Sequence, residues 1–554
     1  MSAGFTPWPA ADAARYRAAG YWTGQTLGDM VRCSAHAAAD HEALIDGSIR
    51  WSYAELDAQA DAVAYGLHAA GLRAGERLVL HLPTSADFVR VLLGCLRAGV
   101  VPVMALPAHR ASEIAALCET SAAAALVTSE PLIAASEQLR TTGAAPDTII
   151  LAADDAPAGC HTLAAIVAAG KPSLALPALT GSDLALLQLS GGTTGRPKLI
   201  PRTHDDYRYS VQRSAECCGL RPASRYLAVL PAAHNFPLSS PGILGTFAAG
   251  GTVVLCPSPD PATALPLIER ERITITSVVP PLALAWLDAA PSVGADLSSL
   301  EVLQVGGARF EPSAAARVGG ELGCTLQQVF GMAEGLVSYT RLDDAIDVIV
   351  HTQGRPMSGG DEVRIVDAAD RDVPPGETGA LLTRGPYTIR GYWRAAEHNA
   401  DAFTADGFYR TGDLVRQRPS GHLVVVGRSK DQINRGGEKV APSEIEDHLL
   451  AHPGVQDVCV LALPDPQLGE RIWAVVIPQD GAENPPTPPM LRRFVRGRGV
   501  AAFKVPDRIT FVAQFPTTGV GKVSRRDLRV ALAEQLTAPR ELPPGSSSTT
   551  PPTA

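Results

Sequence analysis

The hydrophobic period of this chain switches back and forth between 3.6 and 2, and that alternation limits its fold more than any other feature. Ser52-Tyr53-Ala54-Glu55 has the form of a capping box, and Tyr53, Leu56, Ala60, Val63, Leu67 and Ala70 follow at helical spacing until Gly71. Residues 77–82 read as a short apolar strand, residues 85–98 as a helix stopped by Gly99, and residues 100–106 as a second strand. A strand–helix–strand run favours a mostly parallel sheet, so an α/β fold is expected. The pattern returns as a strand at 252–256, a helix at 262–270, and strands at 273–279, 300–305 and 325–330. The last two run into Gly306-Gly307-Ala308 and Gly331, and ligands of open α/β sheets collect at such carboxyl ends.

From about residue 352 the texture changes to short strands between turn signals, at 361–366, 379–384 and 422–426, which predicts a small β-rich subdomain. A third region begins near 430, with helices at 443–451 and near 490–496 and strands at 455–463 and near 473–477. It reads as a small α+β domain. The expected division is a large N-terminal domain at 1–429, a small C-terminal domain at 430–537, and a disordered, Pro/Ser/Thr-rich tail at 538–554. With 554 residues, 46% of them hydrophobic, the chain can bury several cores. A net charge of −9 leaves no global basic field for nucleic acid or an anionic membrane, but it permits a small basic pocket. The most apolar long stretch, 91–108, is broken by Arg97 and Pro102 and reads as helix–turn–strand rather than a membrane span. The N-terminus has no basic-then-apolar signal pattern, and the nine cysteines show no CxxC spacing. Buried free thiols in a reducing compartment, and hence a cytoplasmic location, are expected.

Chemistry concentrates first in Ser190-Gly191-Gly192-Thr193-Thr194-Gly195-Arg196-Pro197-Lys198, which follows the apolar run 184–189. Its glycines let backbone wrap a ligand, successive N–H groups can form an anion nest, and the hydroxyls and the Lys198 ammonium suit a polyphosphate. The spacing is not that of a GxxxxGK[ST] loop.

This string resembles the phosphate loop of the adenylate-forming superfamily of acyl-CoA synthetases, adenylation domains and luciferases. Four further strings resemble that superfamily's motifs in order: Phe330-Gly331-Met332-Ala333-Glu334-Gly335; Tyr409-Arg410-Thr411-Gly412-Asp413; Gly427 to Ile433 running on to Gly436-Gly437-Glu438-Lys439; and Pro516 to Lys522. The resemblance covers about residues 20–535. It implies ATP as co-substrate, held by Ser190, Gly191, Gly192, Thr193, Thr194, Gly195, Lys198, Gly307, Ala308, Val329, Phe330, Gly331, Asp413 and Arg428. Asp413 would take the ribose hydroxyls, Phe330 would stack on adenine, Arg428 would reach the ribose or α-phosphate, and Glu334 would bind Mg²⁺. Lys522 would stabilise charge developing on the α-phosphate, and Lys430 would be the hinge on which the small domain swings between half-reactions.

The run from His234 to Gly242, with residues 328–337, closely resembles stand-alone aryl acid–AMP ligases of siderophore pathways. That resemblance implies an aryl-acid pocket of Asn235, Phe236, Ser240, Gly307 and Val337, with His234 as a gate beside the catalytic Lys522 and Glu334. Amino-acid-activating domains place an Asp where Asn235 stands; a neutral amide can hydrogen-bond a carboxylate or ortho-hydroxyl instead. Ser240 and Val337 point to 2,3-dihydroxybenzoate. Phe236, where such enzymes often carry Tyr, keeps salicylate, 3-hydroxypicolinate and 3-hydroxyanthranilate open. No carrier-attachment string follows Lys522, so the implied thiol acceptor is a separate phosphopantetheinylated aryl carrier protein. An aryl-CoA ligase and a non-catalytic aryl-adenylate-binding protein are the competing readings.

Overall fold

The computed structural model describes residues 4–190, 198–435, 438–465, 468–479, 486–498, 502–518 and 522–537. The expectations for Gly191, Gly192, Thr193, Thr194, Gly195, Gly436, Gly437 and the tail from 538 lie outside those residues. The chain forms two compact units. One runs from Met1 to Gln432 and takes in Lys522; the other holds Ile433–Thr518 and the chain from Val523.

Two large sheets build the first unit. In the seven-stranded sheet, Arg77–Leu80, Val101–Met104, Ala125–Ser129, Thr148–Ala152 and Leu184–Leu189 run parallel, and Leu199–Thr203 pairs antiparallel with Leu184–Leu189. The helices Tyr53–Ala69 and Ala86–Ala98 form as their sequence signals require. Ser52 and Glu55 complete a reciprocal capping box, Ser85 caps the second helix, and Gly99 ends it with φ +70°. The apolar stretch 91–108 is thus a helix end, a glycine turn and the strand Val101–Met104. No helix among the described residues is long and apolar enough to cross a membrane.

The nine-stranded sheet carries the parallel strands Arg225–Ala228, Thr252–Leu255, Ile275–Val278, Val302–Gly306 and Thr325–Gly331, with antiparallel strands at its edges. Gly306 pairs with Val329, so the carboxyl ends of two neighbouring strands open on one edge. Four antiparallel strands, Glu362–Val366, Thr378–Arg384, Tyr409–Gln417 and Leu423–Arg428, make the smaller sheet. Sequence reading found three of these and missed Tyr409–Gln417, because Gly412 and three charged residues interrupt its alternation.

The second unit is a small α+β domain. A mixed sheet of Ile433–Arg435, Glu438–Val440, Val455–Asp465, Gly469–Pro478 and Arg508–Phe511 packs with the helices Pro442–Leu450 and Pro488–Gly497 around Ile445, Leu449, Val460, Ile472 and Leu491.

Candidate active site

A cavity of about 400 Å³ opens where the strand ends of the first unit meet the small antiparallel sheet. Its wall includes Lys198, His234, Asn235, Phe236, Ser240, Gly307, Val329, Gly331, Glu334, Val337, Asp413, Arg428 and Lys522. These thirteen residues were singled out from strings spread over more than three hundred positions, and the fold brings them to one place.

Strand geometry positions the acidic end. Asp413 and Arg428 are directly opposed across neighbouring antiparallel strands, and Arg428 Nε donates to Asp413 Oδ1 at 3.0 Å. Asp413 is 5% exposed, and that burial raises its pKa against the opposing pull of Arg428. The same carboxylate raises the pKa of the Arg428 guanidinium. Because Nε is the atom engaged, the two terminal nitrogens of Arg428 are left as a fork. Glu334 sits on the turn after Thr325–Gly331, held by the hydrogen bond from Ile389 N–H to its carbonyl. Burial raises its pKa, and Tyr392 opposes this by donating its hydroxyl to Glu334 Oε1 at 2.8 Å. Lys198 directly precedes the strand Leu199–Thr203. Ser190 N–H donates to its carbonyl at 3.0 Å, and its Nζ is 5.7 Å from the Tyr392 ring centroid. No group of three or more His, Cys, Asp or Glu able to hold a metal occurs among the described residues. A cation here would therefore rest on Glu334 and on oxygens a ligand brings, which is the way Mg²⁺ is commonly held.

His234, Asn235, Ser240 and Val337 are neutral parts of the wall, with the Lys522 ammonium near His234. His234 caps the short helix Asn235–Ser239, and its Nδ1 accepts from Phe236 N–H at 3.3 Å, which places the ring proton on Nε2. Burial, with the nearby Lys522 ammonium second, pushes the His234 pKa down to about 3. Asn235 Oδ1 accepts from the Tyr207 hydroxyl at 2.8 Å. Ser240 and Val337 are both 3% exposed and face the same cavity. Gly306 and Gly307 are required by space and by conformation. A Cβ on Gly306 would lie 2.9 Å from Val329 O and 3.0 Å from the Phe236 ring, and Gly307 has φ +85°. Lys522, at the same opening, is held down at about 8 by burial and then by Arg428.

Three expected contacts are not in the wall: Ser190, Ala308 and Phe330. Phe330 is partly buried and packs against Leu336, Leu381, Val415 and Leu423. Sequence reading also missed Tyr392 and the hydroxyl of Tyr409, which lie 2.8 Å apart in the wall, and His398 and Asp401 on the helix Ala396–Ala402. The only local signal was the pair of aromatics beside Gly391.

Comparison with known proteins accounts for this assembly. The model of the AMP-binding enzyme family matches residues 31–393, and that of the AMP-binding enzyme C-terminal domain matches residues 444–522. The chain belongs to the AMP-binding enzyme family. This AMP-binding enzyme is 53% identical over 543 residues to a 2,3-dihydroxybenzoate–AMP ligase of Bacillus subtilis, covering 97% of this chain and 99% of the relative. It is 50% identical over 536 residues to a pyochelin synthase of Pseudomonas aeruginosa, covering 96% and 97% of the two chains. Among solved structures, the apo structure of MbtA from Mycobacterium smegmatis is similar with a TM-score of 0.74 and 44% identity, over 95% of this AMP-binding enzyme and 98% of that chain.

Proposed function

We propose that this AMP-binding enzyme condenses an ortho-hydroxylated aryl carboxylic acid, 2,3-dihydroxybenzoate first among them, with ATP to give the aryl adenylate and pyrophosphate. The observation that carries this is the polarity of the cavity. The neutral Asn235, His234, Ser240 and Val337 line one end, and Glu334, Asp413, Arg428 and Lys198 line the other. An amino acid would require a carboxylate to pair its ammonium at the first end, and Asn235 stands there.

The roles follow from the groups. Asp413 accepts from the two ribose hydroxyls, while its hold on Arg428 aims the guanidinium fork at the α-phosphate. The backbone at Gly307, Val329 and Gly331 takes the adenine edge. Lys198, with the Gly/Thr-rich string before it, meets the β- and γ-phosphates, and Glu334 would hold Mg²⁺. When bound, the ion neutralises phosphate charge and favours departure of pyrophosphate. The aryl acid is already ionised at pH 7, so no base is needed. One carboxylate oxygen forms the new bond to the α-phosphorus as the bond to the bridging oxygen breaks. Lys522 meets the negative charge that accumulates there. His234 stays neutral and gates the junction between the two ends.

A swing of residues 430–537 about Lys430 would then admit the phosphopantetheine thiol of a separate aryl carrier protein, which attacks the acyl carbon and releases AMP. The product suits siderophore or nonribosomal peptide assembly. Nine free cysteines fit a reducing, cytoplasmic setting. A pyrophosphate-exchange panel with 2,3-dihydroxybenzoate, salicylate, 3-hydroxypicolinate and 3-hydroxyanthranilate tests the reading, followed by thioester formation on a carrier protein and on CoA. Exchange should be fastest with 2,3-dihydroxybenzoate. An aliphatic or amino acid that outruns all four would refute the aryl assignment.

A further inference from the structure

We propose that Tyr207 is a positioning residue that sets which end of the Asn235 carboxamide faces the substrate, and thereby makes the cavity prefer an ortho oxygen to an ortho amine; this rests on the aryl-acid reading above. Tyr207 lies on the helix His204–Cys217 and is fully buried. Its phenol oxygen accepts from Gln188 Nε2 at 3.4 Å, so its single proton is directed to Asn235 Oδ1, 2.8 Å away. Burial raises the phenol pKa and keeps that proton in place. The guanidinium of Arg202 lies over the same ring, 4.7 Å from its centroid, and draws electron density from it, which strengthens the hydroxyl as a donor. Arg202 is itself fixed from three sides, by Asp206 Oδ2 at 2.6 Å and by the carbonyls of Ala333 at 2.7 Å and Tyr387 at 3.1 Å.

With Oδ1 held by Tyr207 and, at a longer 3.2 Å, by the Ser239 hydroxyl, the end of Asn235 offered to the cavity is Nδ2, which can only donate. An ortho hydroxyl suits it. The oxygen accepts from Nδ2 while its own proton goes to the neighbouring carboxylate. An ortho amine sets N–H against N–H, because its lone pair is delocalised into the ring and accepts poorly. The two substituents are close in size, so the distinction is one of hydrogen-bond direction rather than of space.

The test compares kcat/KM for 2-hydroxybenzoate and 2-aminobenzoate in pyrophosphate exchange, for the wild type, Tyr207→Phe and Asn235→Asp. The wild type should favour the hydroxy acid. Tyr207→Phe keeps the ring under Arg202 but removes the shorter of the two hydrogen bonds to Asn235 Oδ1, leaving the 3.2 Å contact from Ser239, which loosens the amide's orientation. The preference should fall about tenfold, the scale of one hydrogen bond, with KM for ATP unchanged. Asn235→Asp presents an acceptor oxygen and should lower the same ratio whatever its absolute rates. A Tyr207→Phe enzyme with the wild-type ratio overturns the inference. So does an Asn235→Asp enzyme with that ratio, and this arm decides the matter if Tyr207→Phe does not fold. A wild type that exchanges pyrophosphate with no aryl acid overturns the aryl-acid reading, and the inference with it.

Discussion

Asp361→Asn should stabilise the protein above about pH 5, and increasingly so as pH rises. Asp361 Oδ2 accepts from the Tyr387 hydroxyl at 2.7 Å and from Ser358 N–H at 3.2 Å, while its Oδ1 is buried with no hydrogen-bond partner. Burial outweighs those two donors and pushes its pKa from 3.8 to about 7. At 1.36 kcal/mol per unit, holding the carboxylate ionised costs the fold roughly 4 kcal/mol. The sign follows from proton counting: between these two values the folded state binds more proton than the unfolded one, so stability is full below pH 3.8 and is lost as pH rises through 7. The asparagine keeps the acceptor for Tyr387 and Ser358 and removes the charge, but it leaves an N–H2 where Oδ1 lacked a partner, a cost of about 1–2 kcal/mol. A net gain of about 2–3 kcal/mol is expected at pH 8.5, falling to about zero near pH 5 and turning into a loss of about 1 kcal/mol near pH 4, where only the amide cost remains. Urea unfolding of both proteins at pH 4.5, 6, 7 and 8.5 reads it directly. The Tyr387 oxygen also accepts Val337 N–H at 3.3 Å, and the asparagine preserves that arrangement, so KM for the aryl acid should not change. A variant less stable than wild type at pH 8.5, or a gain that is flat with pH, would refute the reasoning.

Lys522→Ala should lower pyrophosphate exchange about 10²–10³-fold, the size of one preorganised charge contact, and change the Kd for ATP by less than about threefold in calorimetry. Wild-type exchange in that variant would remove Lys522 from the mechanism. Because Lys522 is held at about 8 while His234 lies near 3, kcat/KM for adenylation should fall as pH rises through 8. Between pH 5 and 7 it should show no histidine limb; a limb with an apparent pKa near 6.5 would contradict the neutral-gate assignment. KM for ATP should change little between 50 and 200 mM salt, since charges inside a cavity are screened less than surface charges. A steep log–log slope in that titration would point to a surface polyanion site instead.

The local signals in the sequence were strong where a single element decides the outcome. Ser52 with Glu55 and Ser85 with Gly99 set the two early helices by capping chemistry alone, and both form. Asp413, Arg428 and Lys522 were legible because their strings need particular residue types at fixed spacing, and all three line the cavity. What was not legible depends on pairing across the fold. Tyr392 acquires its place only when the segment 387–392 lies along the turn that carries Glu334. Tyr207 matters only because the helix from His204 and the helix from Asn235 meet.

The charge distribution explains how a chain with net charge −9 can hold a polyphosphate. Two of the three carboxylates in the cavity wall do not act as free negative charges; the third, Asp401, is exposed. Asp413 is engaged by Arg428 and Glu334 by the Tyr392 hydroxyl, and burial raises the pKa of each. The cations are placed differently. Arg428 is fixed through Nε only, which keeps its fork for an anion, and Lys198 stands over an aromatic face rather than in a carboxylate pair. Lys522 is held at about 8 by burial and by Arg428, so an anion bound beside it would raise its pKa and secure its charge. Substrate charge is thus met by the cations gathered in the cavity wall, while most of the chain's acids lie outside it.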